Sequence, residues 1–402
     1  MAASQVALTY QQSLLSRMQE ARARTDALFE LLPPNSFYER PIAERHRLIF
    51  YLGHLEAFDW NLLSGPLGFE THDARFDKLF AFGIDPVSGG LPTDVPGDWP
   101  SIAQVEKYNL RVRERLGERL RDPAAFASAA PELADGTLLH VAIEHRLMHA
   151  ETLAYLLHNL AVERMIPHPA TPADSRPAPR QRQATIPAGV ATLGQSRDER
   201  QVFGWDNEFG VQQVKAPSFS IDVFPVTNHE YLRFVQAGGY ETPGYWKPED
   251  WEWKHRQRLE HPHFWVPRSS SRATDPDMQW EYRVTFGTIP LPRSWPVYVS
   301  HAEASAFARW ARKKLPSEEQ WHRAAFGAPE GTERAYPWGD VLPDRPSDAL
   351  RGNFHHRRWD ATSVDAFPAG ASAFGVYDLL GNGWEWTSTT FGPLPGFKAH
   401  AF

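Results

Sequence analysis

The feature that most constrains this chain is a proline-rich break. Residues 169–180 carry Pro169, Pro172, Pro177 and Pro179 among Ala, Thr, Ser, Asp and Arg, with no apolar repeat. A proline lacks the amide that a helix or central strand needs, so no regular element runs through such a stretch. We assign 166–184 as an interdomain linker. The chain is thereby divided into a region at 1–165 and a second at 185–402, each long enough to bury its own core.

Before the break the apolar spacing is helical. Leu14, Leu15, Met18, Ala21 and Leu28 recur at three- and four-residue steps, predicting a helix over 13–32 that Pro33-Pro34 stops. Further helices are expected over 44–63, 102–120 and 136–160, separated by Ser64-Gly65-Pro66 and Asp122-Pro123. Four long helices joined by such loops predict a four-helix bundle. After the break, short extended segments alternate with Gly, Pro and Asn. Helices are expected there over 228–236, capped by Thr227, and over 301–314, where Ser300 and Glu303 have capping-box spacing.

Composition narrows the function classes. A formal charge of -7 lacks the basic face that nucleic acid demands. No apolar run approaches the roughly 18–20 residues of a membrane span. Met1 to Tyr10 has no basic start and apolar core, so no signal peptide is read and a cytoplasmic setting is expected. The absence of cysteine excludes disulfides, thiolate zinc sites and a cysteine nucleophile. Fifteen tryptophans point to an aromatic-lined, loop-rich part.

The fourth predicted helix carries Glu144-His145-Arg146-Leu147-Met148-His149-Ala150-Glu151. Two histidines four residues apart project about 40° from each other, one turn apart, so both imidazoles reach one ion. Arg146 stands where a zinc protease has its catalytic glutamate. Glu151 lies about 200° round the helix from His149, as Glu56 does from His54, and His140 and His158 are also turned away. A third ligand must therefore come from another helix, and His54 in Leu48-Ile49-Phe50-Tyr51-Leu52-Gly53-His54 is the best placed. Gly53 would let another element approach closely. Histidine pairs at this spacing are more commonly hydrogen-bonded or surface pairs, so the motif by itself does not decide for a metal.

The second half resembles the formylglycine-generating-enzyme/sulfatase-modifying-factor domain. The matching stretches include Ile186-Pro187-Ala188-Gly189, Gly204-Trp205-Asp206-Asn207-Glu208, Pro225-Val226-Thr227-Asn228, Leu315-Pro316-Ser317-Glu318-Glu319-Gln320-Trp321, Tyr336-Pro337-Trp338-Gly339-Asp340 and Leu380-Gly381-Asn382-Gly383-Trp384-Glu385-Trp386-Thr387. That resemblance implies a C-type-lectin-like α/β domain. Its copper-binding cysteines cannot exist in this chain, which rules out formylglycine generation. The first half looks like a DinB-type bundle, and His145, His149 and Glu151 match the H-x3-H-x-E motif of ergothioneine-type sulfoxide synthases, which join this same pair of domains. The overall fold class implied is multidomain, α followed by α/β.

Several expectations follow from the resemblance. His54, His145 and His149 would bind Fe(II), leaving open positions for hercynine (trimethylated histidine), a chalcogen donor and O2. Trp384, Trp386 and Phe391 are candidates to face the trimethylammonium group, although burial in the core is the commoner role for such rings. No catalytic residue is assigned. Two departures bear on the donor. Leu79-Phe80 leads to Ala81-Phe82-Gly83 where the synthases often carry a tyrosine pair, and Trp99-Pro100-Ser101 replaces Arg-Pro-Thr. The first departure removes a tyrosine proton donor and leaves Phe82 as a substrate-binding candidate, and Trp99 in place of an arginine suits a sugar better than an anionic dipeptide. These features resemble the selenoneine-synthase branch, whose implied donor is a selenosugar, with the γ-glutamylcysteine or cysteine donor of ergothioneine synthases as the alternative. Relatives of this type continue beyond Pro395-Gly396-Phe397 into a pocket-lining tail, and this sequence ends at Phe402. Two other classes remain open at this stage: a DinB-type metal-dependent thiol transferase, and a binding module built on the lectin-like half.

Overall fold

A computed structural model describes residues 2–70, 72–81, 91–122, 133, 135–197, 203–268, 279–341, 351–354 and 357–400, with side chains from Tyr10 onward. They fall into two compact units, 1–169 and 170–400.

The first unit is built from α1 (Ala2–Phe29), α2 (Leu48–Leu63), the short α3 (Ala74–Leu79), α4 (Ile102–Leu120) and α5 (Thr137–Asn159). The long helices pair α1 with α5 and α2 with both α4 and α5, which is the expected bundle. Leu14, Met18, Leu48, Ile49, Val112, Leu116, Leu139 and Leu153 fill its core. Helix α1 starts earlier than expected, because Ala, Gln and Leu residues extend it towards the N-terminus without a break. Helix α2 starts later, at Leu48. Arg47 is held extended (φ -65°, ψ 154°), with its guanidinium donating to Asp94 and to the Tyr38 carbonyl. Helix α3 was not expected. Asp73 caps it by accepting from the Phe76 amide, and Asp77 holds it to α4 through the Tyr108 hydroxyl at 2.8 Å.

The second unit carries two antiparallel pairs, β1 (Gln183–Ile186) with β4 (Phe219–Asp222) and β2 (Gly189–Leu193) with β3 (Gln212–Ala216). A three-stranded meander follows from β5 (Trp265–Pro267), β6 (Trp280–Val284) and β7 (Gly287–Pro290). Its helices are α6 (Asn228–Gln236), α7 (Pro248–Gln257), α8 (His301–Trp310) and α9 (Glu318–Phe326). Thr227 caps α6 as expected, within a capping box closed by Glu230, and the expected Ser300–Glu303 capping box forms. Helix α8 stops at Trp310, short of 314, because Arg312 takes a left-handed conformation (φ 57°). The Lys313 amide then turns back to the Ala308 carbonyl. Helices α7 and α9 went unread; α7 begins at Pro248, which fits a first helical turn but punctuates the sequence like a loop.

Tyr231, Phe234, Trp246, Trp265, Tyr282, Trp295 and Phe307 belong to the core of this unit, which takes three of the fifteen tryptophans. The proline-rich segment lies against it. Thr171 donates to Asp360, and the Trp295 indole donates to Asp174 at 3.0 Å. Within the Leu380-Gly381-Asn382 motif, Asn382 (φ 61°) accepts from the Thr362 amide and donates to Asp378, pinning one loop to another. Among the described residues, no helix is long and apolar enough to cross a membrane.

Candidate metal centre

His54 sits midway along α2, while His145 and His149 sit one turn apart on α5. Their ring centroids are 5.0, 4.9 and 4.5 Å apart pairwise. One ring nitrogen from each lies within 4.8 Å of the others. His54 Nε2 and His145 Nε2 are 3.2 Å apart. Two nitrogens bound to one ion at about 2.1 Å each are separated by about 3.0–3.4 Å in octahedral or tetrahedral geometry, so this pair already has a shared-ligand spacing.

The tautomer of His54 follows from its other nitrogen. Nδ1 is 2.7 Å from the Phe80 carbonyl, to which it must donate, leaving the Nε2 lone pair free towards the cluster. Gly53 makes this contact possible. A Cβ at that position would come within 2.6 Å of the Phe80 ring, so only glycine lets the α3 end press onto α2. The close approach expected from Gly53 is therefore present, and it delivers a carbonyl that no side-chain pattern announces.

Aromatic rings close the surroundings. Phe58 stacks on His145 at 3.5 Å, Phe50 stacks on His54 at 4.8 Å, and Tyr51 lies 5.6 Å from His149. His54 and His145 are buried; the His149 ring is half-buried, but its Nδ1 is shut off from solvent. Burial lowers the pKa of all three and Arg146 adds to the effect at each, while at His54 the hydrogen bond to the Phe80 carbonyl opposes it. His149 is brought down to about 3, mainly by desolvation and then by His54 and Arg146. Near neutral pH the three imidazoles are uncharged bases with lone pairs to give. The buried Nδ1 atoms of His145 and His149 have no hydrogen-bond partner. Such a donor set fits a divalent transition metal held by nitrogen.

The neighbouring acids serve a different structure. Glu56 and Asp59 face Arg146, Arg22 and Arg113 instead of the imidazoles. Glu144 pairs with Arg17, and His140 contacts Tyr10 and Arg17. The partners of Glu56 and His140 agree with their exclusion as ligands by helix geometry.

The substrate-wall candidates are placed less uniformly. Trp99 is half-buried, stacked on Phe80 at 6.2 Å and edge-on to Phe50 at 6.1 Å, one ring removed from His54. Its indole donates to Asp94, which Arg40 and Arg47 also engage. Phe82 lies outside the described residues. Core burial, the commoner role for Trp384, Trp386 and Phe391, does not hold, since they are 86, 50 and 85% exposed. The segment bearing them is a coil whose ordered contacts pass mainly through backbone and polar groups, such as the Trp386 indole donating to Val299 and the Ser388 amide to Pro316. The sequence reading also missed the partner network of Arg146. Its signal was a charged residue in an apolar helix, matched by acids three residues apart, Glu56 and Asp59, in another.

Comparison with known proteins follows the same division. Residues 17–153 match the DinB superfamily, and residues 169–400 match the sulfatase-modifying factor enzyme 1-like domain. A hercynine oxygenase from Mycolicibacterium smegmatis is 34% identical over 275 residues, covering 66% of this chain and 59% of its own length. One from Mycolicibacterium thermoresistibile is 33% identical over 300 residues, covering 74 and 62%. Ergothioneine biosynthesis protein 1 of Neurospora crassa is 28% identical over 338 residues, covering 78 and 37%. The chain thus spans less than two thirds of the length of these curated relatives.

Proposed function

The chain belongs to the sulfatase-modifying factor enzyme 1-like family and carries a DinB-superfamily domain ahead of that domain, and from that premise we propose that it is a non-haem Fe(II), O2-dependent synthase acting on hercynine. The observation that carries this reading is the convergence of His54, His145 and His149, in a chain whose relatives include hercynine oxygenases. Bound Fe(II) would supply the redox chemistry with O2 and hold the two substrates together. The protein's own residues set the conditions for it. Three neutral imidazoles would hold the ion through one nitrogen each, and positions left to other ligands would take the substrates. The Phe80 carbonyl orients His54, and Phe50, Phe58 and Tyr51 keep water from the ligand side.

For the chalcogen donor we favour a selenosugar, giving a carbon–selenium bond. Trp99 offers a flat neutral wall, and the nearby Arg40 and Arg47 both direct their guanidinium groups at Asp94. The carboxylates of γ-glutamylcysteine, the alternative donor for carbon–sulfur bond formation, find no arginine freed for them in that group. Trp384, Trp386 and Phe391 have accessible faces for a trimethylammonium group, and Phe82 stays a candidate for the donor side.

The test is aerobic incubation of Fe(II)-loaded protein with hercynine and each donor in turn, with products weighed by mass spectrometry. A selenium-bearing product from the selenosugar is expected. A product only with γ-glutamylcysteine or cysteine would move the assignment to sulfur. Turnover without O2 would replace oxidative coupling by a thiol transfer.

A further inference from the structure

We propose that Arg146 is a positioning residue of the metal centre, holding the two ligand-bearing helices at a fixed separation before any ion arrives. The inference rests on the metal reading above and names a residue that supplies no ligand atom.

Among the described residues, α2 and α5 are joined by polar contacts in two places. One is the His54–His145 pair itself. The other is the Arg146 guanidinium, whose Nη2 donates to the Leu55 carbonyl at 3.0 Å and to Asp59 at 2.7 Å, with Glu56 at 3.0 Å. Leu55 directly follows His54, and Arg146 directly follows His145. The clamp therefore grips each helix one residue from a ligand, so a change in its length passes to the imidazole spacing with little slack.

The clamp is itself held from two sides. Arg22 on α1 meets Asp59 at 3.0 Å, and Arg113 on α4 meets Glu56 at 2.8 Å while forking onto Asp26 with two contacts of 2.7 Å. Three guanidinium groups thus face three carboxylates, and all four long helices are tied into one charge-balanced cluster. Arg146 is 1% exposed, so its contacts are not exchanged for water. The imidazoles are less tethered: His145 and His149 each have an Nδ1 with no partner, whereas every charged member of the cluster is held by at least one ion pair. The helix spacing, and with it the spread of the three nitrogens, falls to the cluster behind them.

Removing Arg146 alone leaves three carboxylates against two cations and invites unfolding. The informative variant is the charge-balanced Arg146→Met/Asp59→Asn, alongside Arg146→Lys, which keeps the charge on a shorter stem. As a control, Arg17→Met/Glu144→Gln removes an ion pair between α1 and α5 without touching the α2–α5 clamp. Each protein is titrated with Co(II), reading affinity and the visible ligand-field spectrum, with a thermal melt to verify folding. The double variant should melt cooperatively, bind Co(II) about 10–100-fold more weakly, as expected when an outer-shell support of a metal site is lost, and show a shifted spectrum. Arg146→Lys should lose about 10-fold, and the control should match the wild type. Wild-type affinity and spectrum in a folded double variant would overturn the role of Arg146, as would an unfolded double variant together with unaltered binding by Arg146→Lys. His145→Ala separates this failure from failure of the metal reading. If it binds Co(II) as the wild type does, the histidines are not the site and both readings fall together.

Discussion

Two flanks of the same helix, one residue apart, use buried polar groups in opposite ways. On the His145 side, imidazoles lose solvent and gain few partners: His54 alone has its Nδ1 satisfied, and the Nδ1 atoms of the other two are orphaned. On the Arg146 side, charges that would be far costlier to bury are matched three against three. Burying an unpaired polar group destabilises the fold, whereas a charge-matched cluster is costly chiefly when one member is removed, even though Arg22 Nε, Arg146 Nε, Glu56 Oε2 and Asp59 Oδ1 lack hydrogen-bond partners of their own. On the proposed reading the imidazole flank awaits a metal ion, and the ionic flank supplies its rigidity beforehand.

The comparison breaks most visibly by neutralising one member of each flank. Glu56→Gln leaves buried guanidinium groups uncompensated and should destabilise the first unit by about 3–5 kcal/mol. His145→Leu removes an Nδ1 that has no partner together with the single Nε2 contact to His54, and replaces the ring with apolar volume against Phe58. In metal-free protein it should lie within about 1 kcal/mol of the wild type. Urea unfolding monitored by far-ultraviolet circular dichroism measures both. Equal losses would erase the distinction between the flanks.

Acid should separate the flanks along the pH axis. His149 has its pKa lowered from 6.5 to about 3. Between those values the unfolded chain binds a proton that the native ring refuses, so metal-free stability declines as pH falls through that window. Burial alone would raise the pKa of Glu56, but Arg146, Arg22 and Arg113 override it and hold it at about 2, below its usual 4.5. Its contribution is complete above 4.5 and is lost as pH falls towards 2. Metal-free protein should thus weaken first between about 6.5 and 4.5, on account of the imidazoles, and faster below that. His149→Phe should flatten the upper part of the curve and spare the lower. An unchanged slope above 4.5 in that variant would mean the imidazoles are not what acid attacks first.

The sequence revealed whatever depends on side-chain spacing. The helical period exposed the bundle, the four-residue step placed His145 and His149 on one face, and the angle round the helix excluded Glu56 and Glu151. The parts that stayed hidden depend on the backbone or on cross-helix matching. The Phe80 carbonyl leaves no trace in residue type, α3 is too short for a period to show, and the match of Arg146 to Glu56 and Asp59 appears only when two helices are set side by side. Exposure of Trp384 and Phe391 was unreadable for a similar reason, because coil residues carry no periodicity from which to infer a face.

A single added methyl sharpens the comparison furthest. Gly53→Ala adds a single methyl where the Phe80 ring stands 2.6 Å away, so the ring must move. Overpacking of this kind costs about 1–3 kcal/mol. Phe80 is wholly buried and its carbonyl is the partner of His54 Nδ1, so the displacement cannot stay local to the ring. Lengthening that hydrogen bond frees the imidazole to rotate and to change tautomer, which should weaken metal binding by about 10-fold. Glu56 and Asp59 lie about 200° and 140° round α2 from His54, so the ionic flank should keep its acid response below pH 4.5. A Gly53→Ala protein that loses stability but retains full metal affinity would show that His54 is oriented by the packed rings around it, and that the carbonyl merely satisfies a nitrogen already in place.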